Sequence, residues 1–219
     1  MAQYGKQDYW DERYTRDPEP FDWYQRWSGI RDIIAPLLKP TSTILIVGAG
    51  NSRMAEEMFD EGFANITNID SSAVAMKAMA EKYKDKTGLS YSEMNVKQMD
   101  YGDGQFGVIL DKGTMDSILC GEASTLNIQK ALTEIARVLD PKTGVFVSVS
   151  HGQPNYRLTY LDRPEYGWDV TVHTVEKPRM AMQGATLTSS EDKDNVYHFY
   201  QKAAMFSFES LQPEMSCRL

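Results

Sequence analysis

The 219-residue sequence predicts an α/β fold, a doubly wound and mostly parallel sheet that ends in a C-terminal antiparallel hairpin. Three observations carry this. Short apolar runs alternate with stripes of helical period between Ile44 and Val149. A glycine turn, Gly48-Ala49-Gly50, follows the first run at once. Beyond Gly152 the alternation gives way to two β-like runs.

Taken in order, Ser28 is placed to cap a helix whose apolar positions Ile30, Ile33, Ile34, Leu37 and Leu38 share one face, with Pro36 bending or shortening it and Pro40 ending it. Ile44 to Val47 is an unbroken apolar run, as in a strand covered on both faces, and the glycines turn the chain into a helix marked by Met54, Ala55, Met58 and Phe59. Gly62 stands where a left-handed C-cap belongs. Ile66 to Ile69, closing at Asp70, is the second strand, and Ser72 then caps a helix carrying Val74, Met76, Met79 and Tyr83. Leu89 to Met94, Phe106 to Leu110 and Val145 to Val149 read as strands three to five. Between the last two, Ile128, Ala131, Leu132, Ile135, Val138 and Leu139 form the best helical stripe, and Asp140 to Gly144 turns the chain back into the sheet. Trp168 to Val175 and Asn195 to Gln201 follow with no clear helix between them, which is the basis for the hairpin.

A chain of this length suits one medium domain better than two, so residues 1–219 read as a single domain. The net charge of −8 argues against a protein that tracks phosphate backbones, so no nucleic acid is expected as a partner. An acidic surface suits a basic partner, although solubility explains the charge as well. No apolar run approaches the ~20 residues of a membrane span, and the first ten residues lack the apolar centre of a signal peptide. The expectation is a soluble, cytoplasmic protein with no membrane partner. Cys120 and Cys217 are far apart and form no cluster with His151, His173 or His198, so neither a disulfide framework nor a metal site is expected. Cys120 reads as a buried thiol and Cys217 as part of a loose tail.

The glycine turn runs Val47-Gly48-Ala49-Gly50-Asn51-Ser52-Arg53, and Asp70 ends the next strand. Glycines let a backbone approach a ligand at positive φ, a helix start presents free N–H groups, and a strand-end carboxylate can accept both hydroxyls of a ribose. This set serves an adenosine-containing cofactor on a Rossmann-like sheet; the alternative for Asp70 is a plain helix cap. The dinucleotide fingerprint also asks for a small residue three places after its second glycine, where helix, strand and pyrophosphate crowd together, and Arg53 stands there. S-adenosylmethionine has no pyrophosphate and fits the turn better than NAD. At the end of strand three, Asn95 and the backbone of Val96 can meet an adenine edge, or Asn95 is a turn residue. Asp111, Lys112 and Asp116 leave strand four, and carboxyl ends of strands are where open α/β sheets place their chemistry. They form a candidate acceptor site, the alternative being an Asp111–Lys112 pair with Asp116 at a helix start. His151, just past strand five, is a further candidate to touch the acceptor.

Tyr9, Trp10, Tyr14, Phe21, Trp23, Tyr24 and Trp27 put three of the four tryptophans ahead of the first strand. Such a segment can stack on adenine, enclose a cofactor or attract a sulfonium or ammonium cation; packing of an N-terminal helix on the sheet is the alternative. On Tyr9 to Tyr14 (YWDERY), Phe21 to Tyr24 (FDWY), Ile44 to Ser52 (ILIVGAGNS), Asn68 to Ser72 (NIDSS) and Asp111 to Asp116 (DKGTMD), the sequence resembles the class I methyltransferases, and within them the elongation factor 1-alpha lysine methyltransferases. The resemblance fades beyond His151.

What it implies is contact with S-adenosylmethionine from Trp10, Tyr14, Trp23, Gly48, Asp70, Ser71, Asn95, Val96 and Lys112, to which the turn adds Gly50. Relatives often carry Asp at position 95, where this chain has Asn. The implied activity is methyl transfer to a protein lysine; a small-molecule acceptor and a non-catalytic nucleotide-binding scaffold are the alternatives. Asp111 or Asp116 would orient the acceptor while the aromatic segment lowers its pKa by desolvation. The chain then divides into an aromatic-rich lid (1–40), a cofactor-binding core (41–152) and a substrate-side hairpin and tail (153–219).

Overall fold

In a computed structural model, which describes residues 3–176 and 196–203, the sheet forms where the apolar runs lie. Strands β1 (Ile44–Val47), β2 (Ile66–Asp70), β3 (Leu89–Glu93), β4 (Val108–Lys112) and β5 (Val145–Ser150) are mutually parallel in the order β3-β2-β1-β4-β5. β7 (Val196–Ala203) lies antiparallel along β5, and β6 (Asp169–Glu176) lies antiparallel along β7 at the sheet edge. The residues joining β6 to β7 and the tail with Cys217 lie outside the described residues. The helices are α1 (Gln7–Arg16), α2 (Trp27–Ile34), α3 (Met54–Asp60), α4 (Ala73–Lys82), α5 (Thr114–Leu119), α6 (Ser124–Val138) and α7 (Pro154–Leu161).

β1 and β4 are buried at every position, because helices cover both faces. Side chains alternate across a strand, so β1 feeds two cores. Ile44 and Ile46 pack with Trp27, Ile30, Ile34, Met54 and Met58 beneath α2 and α3. Leu45 and Val47 pack with Ile128, Leu132, Ile135, Phe146 and Trp168 beneath α6.

Several expectations need correction. Ser28 is not a cap: α2 begins at Trp27 behind the extended backbone of Arg26, with no side-chain cap, so Ser28 lies inside the first turn, next to the buried Trp27. Pro36 shortens that helix as expected, and the chain tightens into a 3-10 turn over Ala35–Leu37. Ser72 does cap α4, its hydroxyl accepting from the Ala75 amide at 3.2 Å, but the buried face is Ala75, Met76 and Met79, with Val74 exposed. Gly62 follows α3 at φ +100°, the left-handed exit its position predicts.

β4 starts two residues later than the apolar run suggests. Phe106 makes an isolated bridge to Leu139, and the Gly107 amide donates to the Thr43 carbonyl at 3.1 Å. Asp111 and Lys112 are therefore inside the strand, where neighbouring side chains point to opposite faces, and Lys112 pairs with Asp22 instead. The helical alternation also continues past Gly152, because Pro154 opens α7. Cys120 is exposed, not buried, as it lies in the turn that ends α5.

Candidate active site

The strand order reverses between β1 and β4, and ligands of open α/β sheets bind outside the carboxyl ends at such a point. Gly48 (φ +61°) and Gly50 (φ +51°) form the turn there. A Cβ on Gly50 would stand 2.3 Å from the Tyr14 hydroxyl oxygen, and one on Gly48 would stand 1.9 Å from Thr114 Oγ1, so both positions require glycine. The Gly50 amide donates to Asp70 Oδ2 and the Ser72 amide to Asp70 Oδ1, each at 2.9 Å. A carboxylate has about four lone-pair sites, so these bonds orient Asp70 and leave acceptors for a ribose. Burial raises the Asp70 carboxyl above its ordinary range; the two amides oppose this, and Asp11 adds to it.

The N-terminal segment is strapped over these strand ends. Gln7 Nε2 donates to the Ser71 carbonyl at 2.8 Å, and Ser72 Oγ donates to Asp11 Oδ1 at 2.5 Å. Further along, Asn51 Nδ2 donates to the Glu19 carbonyl at 2.6 Å, and the Ser52 hydroxyl donates to Asp22. Lys112 Nζ reaches Asp22 Oδ1 at 3.1 Å and the Trp23 carbonyl at 3.0 Å, with both charged side chains only 6% exposed. Burial lowers the Lys112 ammonium, and Asp22 opposes that shift. Trp10 stacks on Tyr14, with ring centroids 5.9 Å apart, and meets Trp23 edge-on.

Five of the residues expected to hold a cofactor, Tyr14, Trp23, Gly48, Gly50 and Lys112, line one small cavity of about 30 Å³, joined by Arg13, Phe21 and Ser52. Asp70 holds the turn beneath it. Trp10 lies within the strap, its indole donating to the Tyr4 carbonyl, and Ser71 lies beneath it, its carbonyl accepting from Gln7. Asn95 and Val96 do not line the cavity. Asn95 is exposed and its Oδ1 accepts from the Lys97 amide at 3.0 Å, while Val96 packs on the core beneath α6.

The acceptor-side residues are tied together differently. Asp111 is 2% exposed; its Oδ1 accepts from the Thr114 and Met115 amides at the start of α5, and its Oδ2 from the Ser148 hydroxyl at 2.6 Å. Asp116 collects the Tyr24 hydroxyl, the Ser150 hydroxyl, the Arg157 guanidinium and the His151 amide. The His151 ring is on the exposed surface beside this cluster. The sequence gives Tyr24 and Ser52 a place only within the aromatic segment and the glycine turn, and gives Asp22, Ser150 and Arg157 no role of their own. Asp22 and Tyr24 sit inside the FDWY motif, which was the available signal; Arg157 lies on the unforeseen α7 and had none.

A profile described as a methyltransferase domain matches residues 45–147. EEF1A lysine methyltransferase 4 of Bos taurus is 34% identical over 177 residues, covering 76% of this chain and 69% of that protein. The chain belongs to the S-adenosylmethionine-dependent methyltransferases. Another relative of this methyltransferase, eEF1A lysine and N-terminal methyltransferase of Homo sapiens, is 33% identical over 178 residues, which span 79% of this chain and only 25% of that longer protein. Among solved structures, a Haloferax volcanii protein described as a putative methyltransferase in complex with the Trm112 activator superposes with a TM-score of 0.65 at 15% identity, covering 93% of this chain and 97% of that one. A Methanosarcina mazei protein described as a SAM-dependent methyltransferase gives 0.57 at 15% identity, with 83% and 98% covered. At such identities these two speak for the fold. S-adenosylmethionine is the cofactor of this family, and the spare acceptors of Asp70 fit its ribose.

Proposed function

We propose that this methyltransferase modifies a lysine side chain of a protein, with elongation factor 1-alpha as the first candidate. The observation that carries the reading is the 34% identity to EEF1A lysine methyltransferase 4 over three quarters of the chain. No helix among the described residues is long and apolar enough to cross a membrane, and we place the activity in the cytoplasm with that substrate.

Bound S-adenosylmethionine supplies an electrophilic methyl group on a sulfonium. The protein's part is to align the acceptor, exclude water and present a neutral amine. In this reading Asp70 would hold the ribose, the Gly48–Gly50 turn would lie against the ligand, and Lys112 would offer its charge to the cofactor's carboxylate. Asn95 and Val96, just beyond β3 and outside the cavity, would be the residues to meet the adenine edge. Trp10, Tyr14 and Trp23 cover the site, and their rings favour a nearby cation while keeping water out.

The oxygens of Asp111 and Asp116 are already engaged by internal donors, which supports a holding role for both over removal of a proton. His151 keeps an exposed ring for the acceptor. Desolvation beneath the aromatic cover lowers the pKa of the lysine, so its proton passes to solvent before the cover closes over the neutral amine.

The test is radiolabelled methyl transfer to purified elongation factor 1-alpha, with the label mapped by mass spectrometry. Lysine-linked label is expected. Label confined to small molecules of a cell lysate would favour the alternative acceptor class. A thermal shift with S-adenosylhomocysteine and none with NAD is expected in parallel, and a shift with NAD alone would overturn the cofactor reading.

A further inference from the structure

Tyr24 is the one residue of the aromatic segment whose backbone is held against its own preference. Its φ is +66°, and Ala123 is the only other non-glycine residue at positive φ among the described residues. A tyrosine adopts this conformation only where its surroundings over-determine it. The preceding carbonyl, that of Trp23, accepts from Lys112 Nζ. The ring edge lies 3.2 Å from the position of a Cβ on Gly113, so a side chain there would crowd it. The hydroxyl donates to Asp116 Oδ2 at 2.5 Å.

Asp116 is also where the acceptor side is gathered. The same carboxylate takes Ser150 from the end of β5, the backbone of His151, and Arg157 from α7 at 2.7 Å, and its side chain is 12% exposed. One carboxylate thus joins the segment that covers the cofactor to the elements that border the acceptor.

We infer that Tyr24 is a positioning residue, whose hydroxyl, through Asp116, seats the aromatic segment against the acceptor side so that the two close as one unit. The inference rests on the methyltransferase reading above for its kinetic consequence and on the geometry alone for its structural one. Burial, followed by the Asp116 charge, raises the Tyr24 phenol, so it stays a proton donor across the working pH range. A 1 Å misplacement at an aligned reaction costs up to ~100-fold in rate, so a loosened seat acts on turnover before it acts on cofactor affinity.

The test is Tyr24→Phe, which keeps the ring and removes the hydroxyl. Hydrogen exchange of residues 20–26 is expected to quicken at least ~10-fold with S-adenosylhomocysteine bound. Its Kd should stay within about twofold, and kcat on purified elongation factor 1-alpha should fall about 10-fold or more with KM for the cofactor little changed. Asp116→Asn should reproduce the exchange signature. Unchanged exchange in Tyr24→Phe overturns the inference, as does a parallel loss of cofactor affinity, melting temperature and kcat, the mark of a merely structural tyrosine. If the wild-type protein does not label that substrate, the substrate reading fails, while the exchange arm still decides the role of Tyr24.

Discussion

Replacing Asp111 by Asn should flatten one part of the pH dependence of stability. The carboxyl is 2% exposed, and its p Ka is pushed from 3.8 to about 6, first by burial and then by the nearby Asp116 charge, with the Ser148 hydroxyl and two amides pulling the other way. A carboxyl raised in the folded state binds its proton more tightly there than in the unfolded chain. Stability is therefore greatest from this group below pH 4 and is lost as pH rises toward and through 6. The gap corresponds to about 3 kcal/mol, carried as a penalty at pH 7. Asn keeps an oxygen for the Thr114 and Met115 amides, and its NH2 can donate to a rotated Ser148 hydroxyl, so the bonds survive without the charge. Urea unfolding of both proteins between pH 4 and 7.5 should show the wild type losing a little over ~2 kcal/mol relative to Asp111→Asn, the part of the gap that falls in this range. The raised Asp70 carboxyl has the same sign in both proteins and cancels in the difference. A difference that stays flat, or that grows in favour of the wild type with rising pH, would refute the account of a buried, charge-penalised Asp111.

The other predictions concern the strap, the turn and the surface histidine. Gly48→Ala must place a Cβ 1.9 Å from Thr114 Oγ1, which is itself anchored to the Val47 carbonyl at 2.9 Å; roughly 2–4 kcal/mol of stability and the thermal shift with S-adenosylhomocysteine should be lost. Gly62→Ala has a positive φ but open space around it and should cost only about 1 kcal/mol with ligand binding intact. Lys112→Met leaves Asp22 buried without its ion-pair partner and should destabilise by roughly 3–5 kcal/mol in chemical denaturation, much of it recovered in the double variant with Asp22→Asn. His151→Ala should lower turnover about 10-fold at unchanged S-adenosylhomocysteine affinity, less than the ~100-fold or more of a group that takes the proton; full activity would remove His151 from the acceptor site.

The residues that could be read ahead of the fold are those whose roles depend on close neighbours in the chain. β1 declares itself because all four of its residues are apolar and buried, and the glycine turn because Gly48 and Gly50 both need positive φ. β4 is misplaced by two residues because its last two positions, Asp111 and Lys112, are polar yet buried, and local hydrophobicity cannot report that. What buries them comes from afar: Ser148 is 37 residues from Asp111, and Asp22 is 90 from Lys112. α7 escapes for a related reason, since Leu161 is its only buried residue and leaves no stripe to detect. The same physics explains why Asp111 and Asp116 look like free catalytic carboxylates in sequence. A strand-end acid is read as available chemistry until its lone pairs are counted, and the Tyr24, Ser150, His151 and Arg157 donors to Asp116 all arrive from at least 34 residues away. The glycine turn is therefore a local pattern, whereas the cavity above it and the cluster on Asp116 exist only once the N-terminal segment, β4, β5 and α7 have converged.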